Sequence, residues 1–251
     1  MSHKKSVKAI FFDFGGTLMD AESDKIAHQN MMKDIKTHYS ISVSEEDLLE
    51  IYQSQLFNND MTIKEFAQSS SMQFKRLISF SFNAFRGILK AFNIDAKKTD
   101  MDWFNIIFLD NHIKYAQLVE GVWDVINQVK DKGCHCGIIS DIDNDYQQKQ
   151  FQSLKLNGVF DSITTSEEVK VYKPGPCIFE TALNKASCKG NESIMIGDSY
   201  SKDIAGGKNL DMTTIWIDNY QNNLQKPALA DYTIKQLKDI IPIFNKILQV
   251  S

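Results

Sequence analysis

The sequence predicts an α/β protein: a doubly wound parallel sheet, covered by helices on both faces, with one purely helical segment inserted into it. Three observations predict this. Outside residues 20–116, short apolar runs of strand length alternate with amphipathic stretches of helix length. Between Asp20 and Ala116 the only glycine is Gly87. All 4 prolines lie at or after Pro174. A chain of 251 residues accommodates one large domain, or a core with a second one inserted.

The first strand is the apolar run 7–12, which ends at Asp13. Within 20–116, Ser44-Glu45-Glu46-Asp47 and Thr62-Ile63-Lys64-Glu65 read as helix starts, a hydroxyl capping the first turn and a carboxylate three residues on answering its free amides. Ile78, Phe82, Phe85, Leu89 and Phe92 recur at helical spacing and predict a core-facing stripe. The phenylalanines concentrated in this segment are read as helix-to-helix packing. Then come a helix at 122–130, a strand at 135–140, a helix at 145–154 and a weaker strand at 162–165. A helix at 176–185 opens with Pro176, suited to a first turn. Strands at 193–196 and 213–217 and helices at 203–208 and 235–248 complete the pattern. Residues 1–19 and 117–251 thus form the core, and 20–116 the insertion.

With 28 Lys+Arg against 32 Asp+Glu, the net charge of −4 does not recruit nucleic acid or an anionic membrane. Arginine, the residue best suited to reading base edges, is confined to Arg76 and Arg86. No run approaches the roughly 18 apolar residues a membrane span needs, and the N-terminus does not read as a signal peptide. Cys134, Cys136, Cys177 and Cys188 lack the spacing of a disulfide framework or zinc site and are expected to be reduced thiols of a cytoplasmic protein.

In a doubly wound sheet, sites form beyond the carboxyl ends of the strands. The first strand delivers Asp13 there, followed by Gly15-Gly16, which let the backbone turn and present its own polar groups to a ligand, and by the hydroxyl of Thr17. The second delivers Ser140 and Asp141, whose hydroxyl suits a phosphate oxygen. Lys173 stands before the rigid turn Pro174-Gly175-Pro176. The strand at 193–196 leads to Asp198, with Asp203 five residues on. One sheet edge therefore gathers Asp13, Asp198, Asp203, hydroxyls and one lysine. Crowded carboxylates need a cation, and an oxygen-only donor set favours Mg²⁺ bound with a substrate phosphate.

In order and spacing, FDFGGTL, IISD, KPGPCIF and GDSYSKD resemble the four motifs of the haloacid dehalogenase-like hydrolase superfamily. The resemblance spans nearly the whole chain and implies a Rossmann-like core with a helical cap inserted after the first motif. It implies that Asp13 is the nucleophile, taking the phosphoryl group as an aspartyl phosphate. Ser140 and Lys173 would hold that group, with Gly16, Thr17 and Asp141 beside the substrate. Mg²⁺ would be held by Asp13, the Gly15 carbonyl, Asp198 and Asp203.

Two positions depart from the pattern. Phosphatases of the superfamily typically carry a second aspartate, a general acid and base, where this chain has Gly15. Asp141 stands where asparagine is frequent. Asp141 or Asp20 is a candidate for the missing proton transfer, and Arg76 and Arg86 for substrate contact from the cap. The expected activity is Mg²⁺-dependent hydrolysis of a small phosphorylated metabolite by a monomer or dimer, best with acyl or aryl leaving groups that need little protonation. The alternatives are phosphonate or carbon–halogen cleavage, or a catalytically weak module that binds a phosphate ligand.

Overall fold

All four residues of β1 (Ala9–Phe12) are fully buried, Ile10 and Phe12 in one apolar cluster and Ala9 and Phe11 in another. A strand without a polar face belongs inside a sheet covered on both sides. The computed structural model, which describes residues 7–56, 74–218 and 229–248, has this arrangement. Six parallel strands lie in the order β3-β2-β1-β4-β5-β6, with β2 at His135–Ser140, β3 at Ser162–Thr165, β4 at Ser193–Gly197, β5 at Thr213–Ile217 and β6 at Tyr232–Ile234.

Between β1 and β2 run α1 (Ala21–Tyr39), α2 (Glu45–Leu56), α3 (Leu77–Ala91), α4 (Lys98–Lys114) and α5 (Val122–Asp131). After β2 come α6 (Asn144–Ser153), α7 (Ser166–Val169), α8 (Pro176–Lys185), α9 (Ala205–Lys208) and α10 (Ile240–Ile247). Val125 and Ile126 of α5 and Phe244 of α10 pack on Ile10 and Phe12. Ile178 and Phe179 of α8 pack on the opposite face, with Phe11 and Met195.

Two expected helices begin differently. The helix expected at 235–248 is shortened because β6 pairs with the edge of β5; a 3-10 turn at Leu237–Asp239 follows, and α10 starts only at Ile240. The helix expected at 203–208 opens with a π-type turn over Tyr200–Ile204, in which Asp203 Oδ2 accepts from the Ser199 N–H at 3.0 Å. That turn aims the other oxygen of Asp203 at the end of the sheet.

The first four helices have a core of their own, built on Met31, Met32, Leu48, Phe85, Leu89 and Phe104. The expected cap of α2 is present: Asp47 N–H donates to Ser44 Oγ at 3.0 Å, and Ser44 N–H to Asp47 Oδ2 at 3.3 Å. The second expected start, at Thr62, lies outside the described residues. The stripe expected on α3 is displaced. Phe85 and Leu89 are fully buried as expected, but Ala84 and Ile88 complete the buried face, while Ile78, Phe82 and Phe92 are only partly covered.

The core reaches into this helical layer, among other places, from the end of β2. Asp143, just beyond β2, accepts the free N–H groups of Leu77 and Ile78 at 2.9 Å each, satisfying the first turn of α3 from 66 residues away. Arg76 beside it is ion-paired to Asp145 and, at 3.2 Å, to Glu167.

Candidate active site

Parallel register decides what meets at the sheet edge. Phe12 is level with Ile138 on one side and Ile196 on the other, so the residues following β1, β2 and β4 emerge together. Asp13 continues the ladder by donating its N–H to Ile196 O at 2.8 Å. Asp13, Gly15, Ser140, Asp141, Lys173, Asp198 and Asp203 line one cavity of about 360 Å³.

Lys173 is the centre of this group. Its side chain is 3% exposed, and its ammonium donates to Asp13 Oδ1 at 2.6 Å, to Asp203 Oδ1 at 2.7 Å and to Ile139 O at 3.1 Å. Burial opposes its charge, but the carboxylates of Asp13, Asp203 and Asp141 outweigh burial and hold its pKa well above the ordinary lysine value. Oδ2 of Asp13 is hydrogen-bonded by no described residue.

Asp13, Asp198 and Asp203 each offer a carboxylate oxygen within 4.8 Å of the others. One ammonium does not balance three carboxylates. Burial, with the charge of Asp13, pushes Asp198 up to about 6; burial, partly opposed by Lys173, pushes Asp203 up to about 7. Such a cluster takes up a positive charge, as protons or as a hard divalent cation. Its donors are all oxygen, which fits Mg²⁺.

Gly16 and Thr17 are not on the cavity wall. Thr17 is 1% exposed; its hydroxyl donates to Asp198 Oδ1 at 3.3 Å and accepts from the Asp198 N–H at 3.1 Å, so it positions that carboxylate. Gly16 has φ +80, and a Cβ there would meet Asp198 Oδ2 at 2.5 Å. Both packing and backbone therefore require glycine at 16.

Asp20 caps α1, accepting the Glu22 N–H at 3.2 Å. Arg86 is exposed and bonded to Asn83, while Arg76, ion-paired to the core acids, lines a cavity that adjoins this one. Asp141 does face the cavity. Its Oδ1 accepts the Lys173 N–H at 2.9 Å, and its Oδ2 lies 3.2 Å from Lys202 Nζ, an ion pair without hydrogen-bond alignment. With both oxygens engaged, Asp141 positions Lys173. Asp141→Asn, which keeps the Oδ1 acceptor, is expected to hold turnover within about tenfold of the parent, the scale of one hydrogen bond, with an unchanged pH profile. Steady-state assays across pH check this.

The sequence did not single out Asp24, Tyr146 or Lys202, which also line the cavity. Asp24, Leu77 and Tyr146 line in addition a neighbouring, mostly apolar cavity of about 610 Å³, walled by Phe80, Phe82 and Phe108. No local motif marks these residues, since they approach the sheet edge from α1, α3 and α6.

A family model described as haloacid dehalogenase-like hydrolase matches residues 10–217. A glyceraldehyde 3-phosphate phosphatase from Pyrococcus furiosus is 26% identical over 249 residues, covering 96% of this chain and 95% of its own. The HAD-hydrolase YfnB from Bacillus subtilis, in a structure bound to magnesium, superposes with a TM-score of 0.73 at 19% identity, covering 96% of this chain and 100% of that one. A 2-haloacid dehalogenase from Pseudomonas syringae superposes with a TM-score of 0.70 at 21% identity, covering 96% and 99%. The fold alone is thus common to proteins named for different reactions.

Proposed function

Since the chain belongs to the haloacid dehalogenase-like hydrolase family, we propose that it is a Mg²⁺-dependent phosphatase acting on a small phosphorylated metabolite through an aspartyl phosphate on Asp13. One observation carries this reading over dehalogenation: three carboxylates around a single buried lysine form a cluster suited to a divalent cation and a phosphoryl group. Residues 20–116 serve as the cap, 1–19 and 117–251 as the hydrolase core, and the protein works in the cytoplasm.

Lys173 fixes Asp13 through Oδ1, leaving Oδ2 to attack phosphorus as the bond to the leaving oxygen breaks. Ser140 holds the phosphoryl oxygens with its hydroxyl, and Lys173, whose three ammonium hydrogens go to Asp13, Asp203 and Ile139 O, holds them by its charge. Water then cleaves the aspartyl phosphate, releasing phosphate and restoring Asp13. Asp13, the Gly15 carbonyl, Asp198 and Asp203 would hold Mg²⁺, which supplies charge neutralisation for the transferred group. The larger cavity takes the leaving group. Gly15 has no side chain with which to protonate it, so leaving groups that depart as anions are favoured.

The test is phosphate release from an aryl, an acyl and a matched alkyl phosphate, with Mg²⁺ or with EDTA, against an Asp13→Asn control. The expected result is turnover of the first two only, lost with EDTA and in the control. Turnover that persists in EDTA or in Asp13→Asn overturns the proposal.

A further inference from the structure

Apart from the carboxylate cluster, the described residues bring together a second set of metal-ligating side chains: Asp24, His28 and His112, with donor atoms all within 4.8 Å of one another. Asp24 and His28 stand four residues apart on α1 and so share a face; His112 comes from the last turn of α4, which packs against α1. The two rings meet edge-on with centroids 4.7 Å apart.

His112 is the decisive member. It is 4% exposed, and its Nδ1 lies 2.7 Å from Phe108 O. A carbonyl only accepts, so Nδ1 carries the proton and Nε2 keeps a bare lone pair. That buried Nε2 has no hydrogen-bond partner and lies 3.5 Å from Asp24 Oδ1, itself an acceptor. His28 Nδ1 lies 2.9 Å from Asp24 O and 3.3 Å from Asp24 Oδ2, so it too carries its proton at Nδ1, and Nε2 is the nitrogen with which it would bind a metal. The buried His112 Nε2 and the Asp24 Oδ1 that it faces are two acceptors with no donor between them, which is costly. A cation between them removes that cost.

We infer that Asp24, His28 and His112 form a binding site for one borderline divalent cation, of which Zn²⁺ is the representative. Two imidazoles and a carboxylate favour such an ion over Mg²⁺. Bonds of about 2.0–2.1 Å in a tetrahedral shell set donor atoms roughly 3.3–3.4 Å apart, close to the 3.5 Å between His112 Nε2 and Asp24 Oδ1. The phenolic neighbour Tyr146 and Asp24 line both cavities, so the site stands where the two adjoin. This site does not depend on the phosphatase reading.

The test is Zn²⁺ binding to the full chain in excess Mg²⁺, which occupies the carboxylate cluster. It is read as bound metal after dialysis and, with Co²⁺ in place of Zn²⁺, as visible absorption. One equivalent is expected to bind. Asp24→Ala and His28→Ala should each weaken affinity by more than about 100-fold, exceeding the 10–100-fold typical of outer-shell partners. Asp24 is 52% exposed, so its replacement leaves folding intact, and thermal melts verify this. An Asp198→Asn variant should retain the Zn²⁺. Absence of binding in Mg²⁺, wild-type affinity in folded Asp24→Ala and His28→Ala, or loss of the ion in Asp198→Asn would each overturn the inference.

Discussion

Gly15→Asp is expected to raise turnover of alkyl phosphates by roughly 10²–10⁴-fold, the usual contribution of general acid–base catalysis. Gly15 lies on the cavity wall, and a Cβ built there meets nothing within 4 Å. Its φ is outside the left-handed region, unlike that of Gly16. The site therefore has room for a side chain at 15, and what it lacks there is a proton donor. An aspartate two residues after the nucleophile restores one, at the position where phosphatases of the family typically carry it. Aryl phosphates, whose leaving groups depart unprotonated, should gain little. Parallel assays on matched alkyl and aryl esters check the split. An unchanged alkyl rate in a folded, Mg²⁺-loaded variant would mean that the proton comes from elsewhere.

Lys173→Met is expected to lower turnover by roughly 10²–10³-fold, the scale of removing one preorganised donor from a developing negative charge. It should also destabilise the metal-free fold by about 3–5 kcal/mol at pH values where the carboxylates are ionised, as when one partner is removed from a buried ion pair. The sign of the pH dependence follows from the raised values of Asp198 and Asp203. Both bind protons more tightly folded than unfolded, so the contribution of this pair to metal-free stability declines as pH rises from 3.8 towards about 7. Without the ammonium both are pushed higher, and the decline continues to higher pH. Urea unfolding in EDTA below and above this window measures it. Added Mg²⁺ should recover stability at the upper pH.

Much of this architecture was legible because its signals are local. Four buried residues ending in Asp13, a hydroxyl and acid after β2, and a lysine before Pro174 each follow from a few neighbouring positions, and parallel register brings them together. What was not legible depends on distant partners. Tyr232-Thr233-Ile234 is too short to announce a strand and becomes one only against β5. Thr17 reads as a ligand contact until its hydroxyl is found bonded to Asp198, 181 residues away. The capping of α3 by Asp143 leaves no trace near residue 77, and His112 meets Asp24 only when α4 packs on α1. In α3 the helical period was correct, but which neighbours close over it moved the buried face towards Ala84 and Ile88.

The central claim is a covalent phosphoenzyme on Asp13, and rapid acid quenching during turnover of an acyl phosphate tests it most directly. Mass spectrometry of the proteolytic fragments should find one added phosphoryl group on the peptide containing Asp13. The label should require Mg²⁺, be lost on treatment with hydroxylamine, and be absent from Asp13→Asn. Phosphate release with no label on that peptide, or a label of equal amount in Asp13→Asn, would contradict the account.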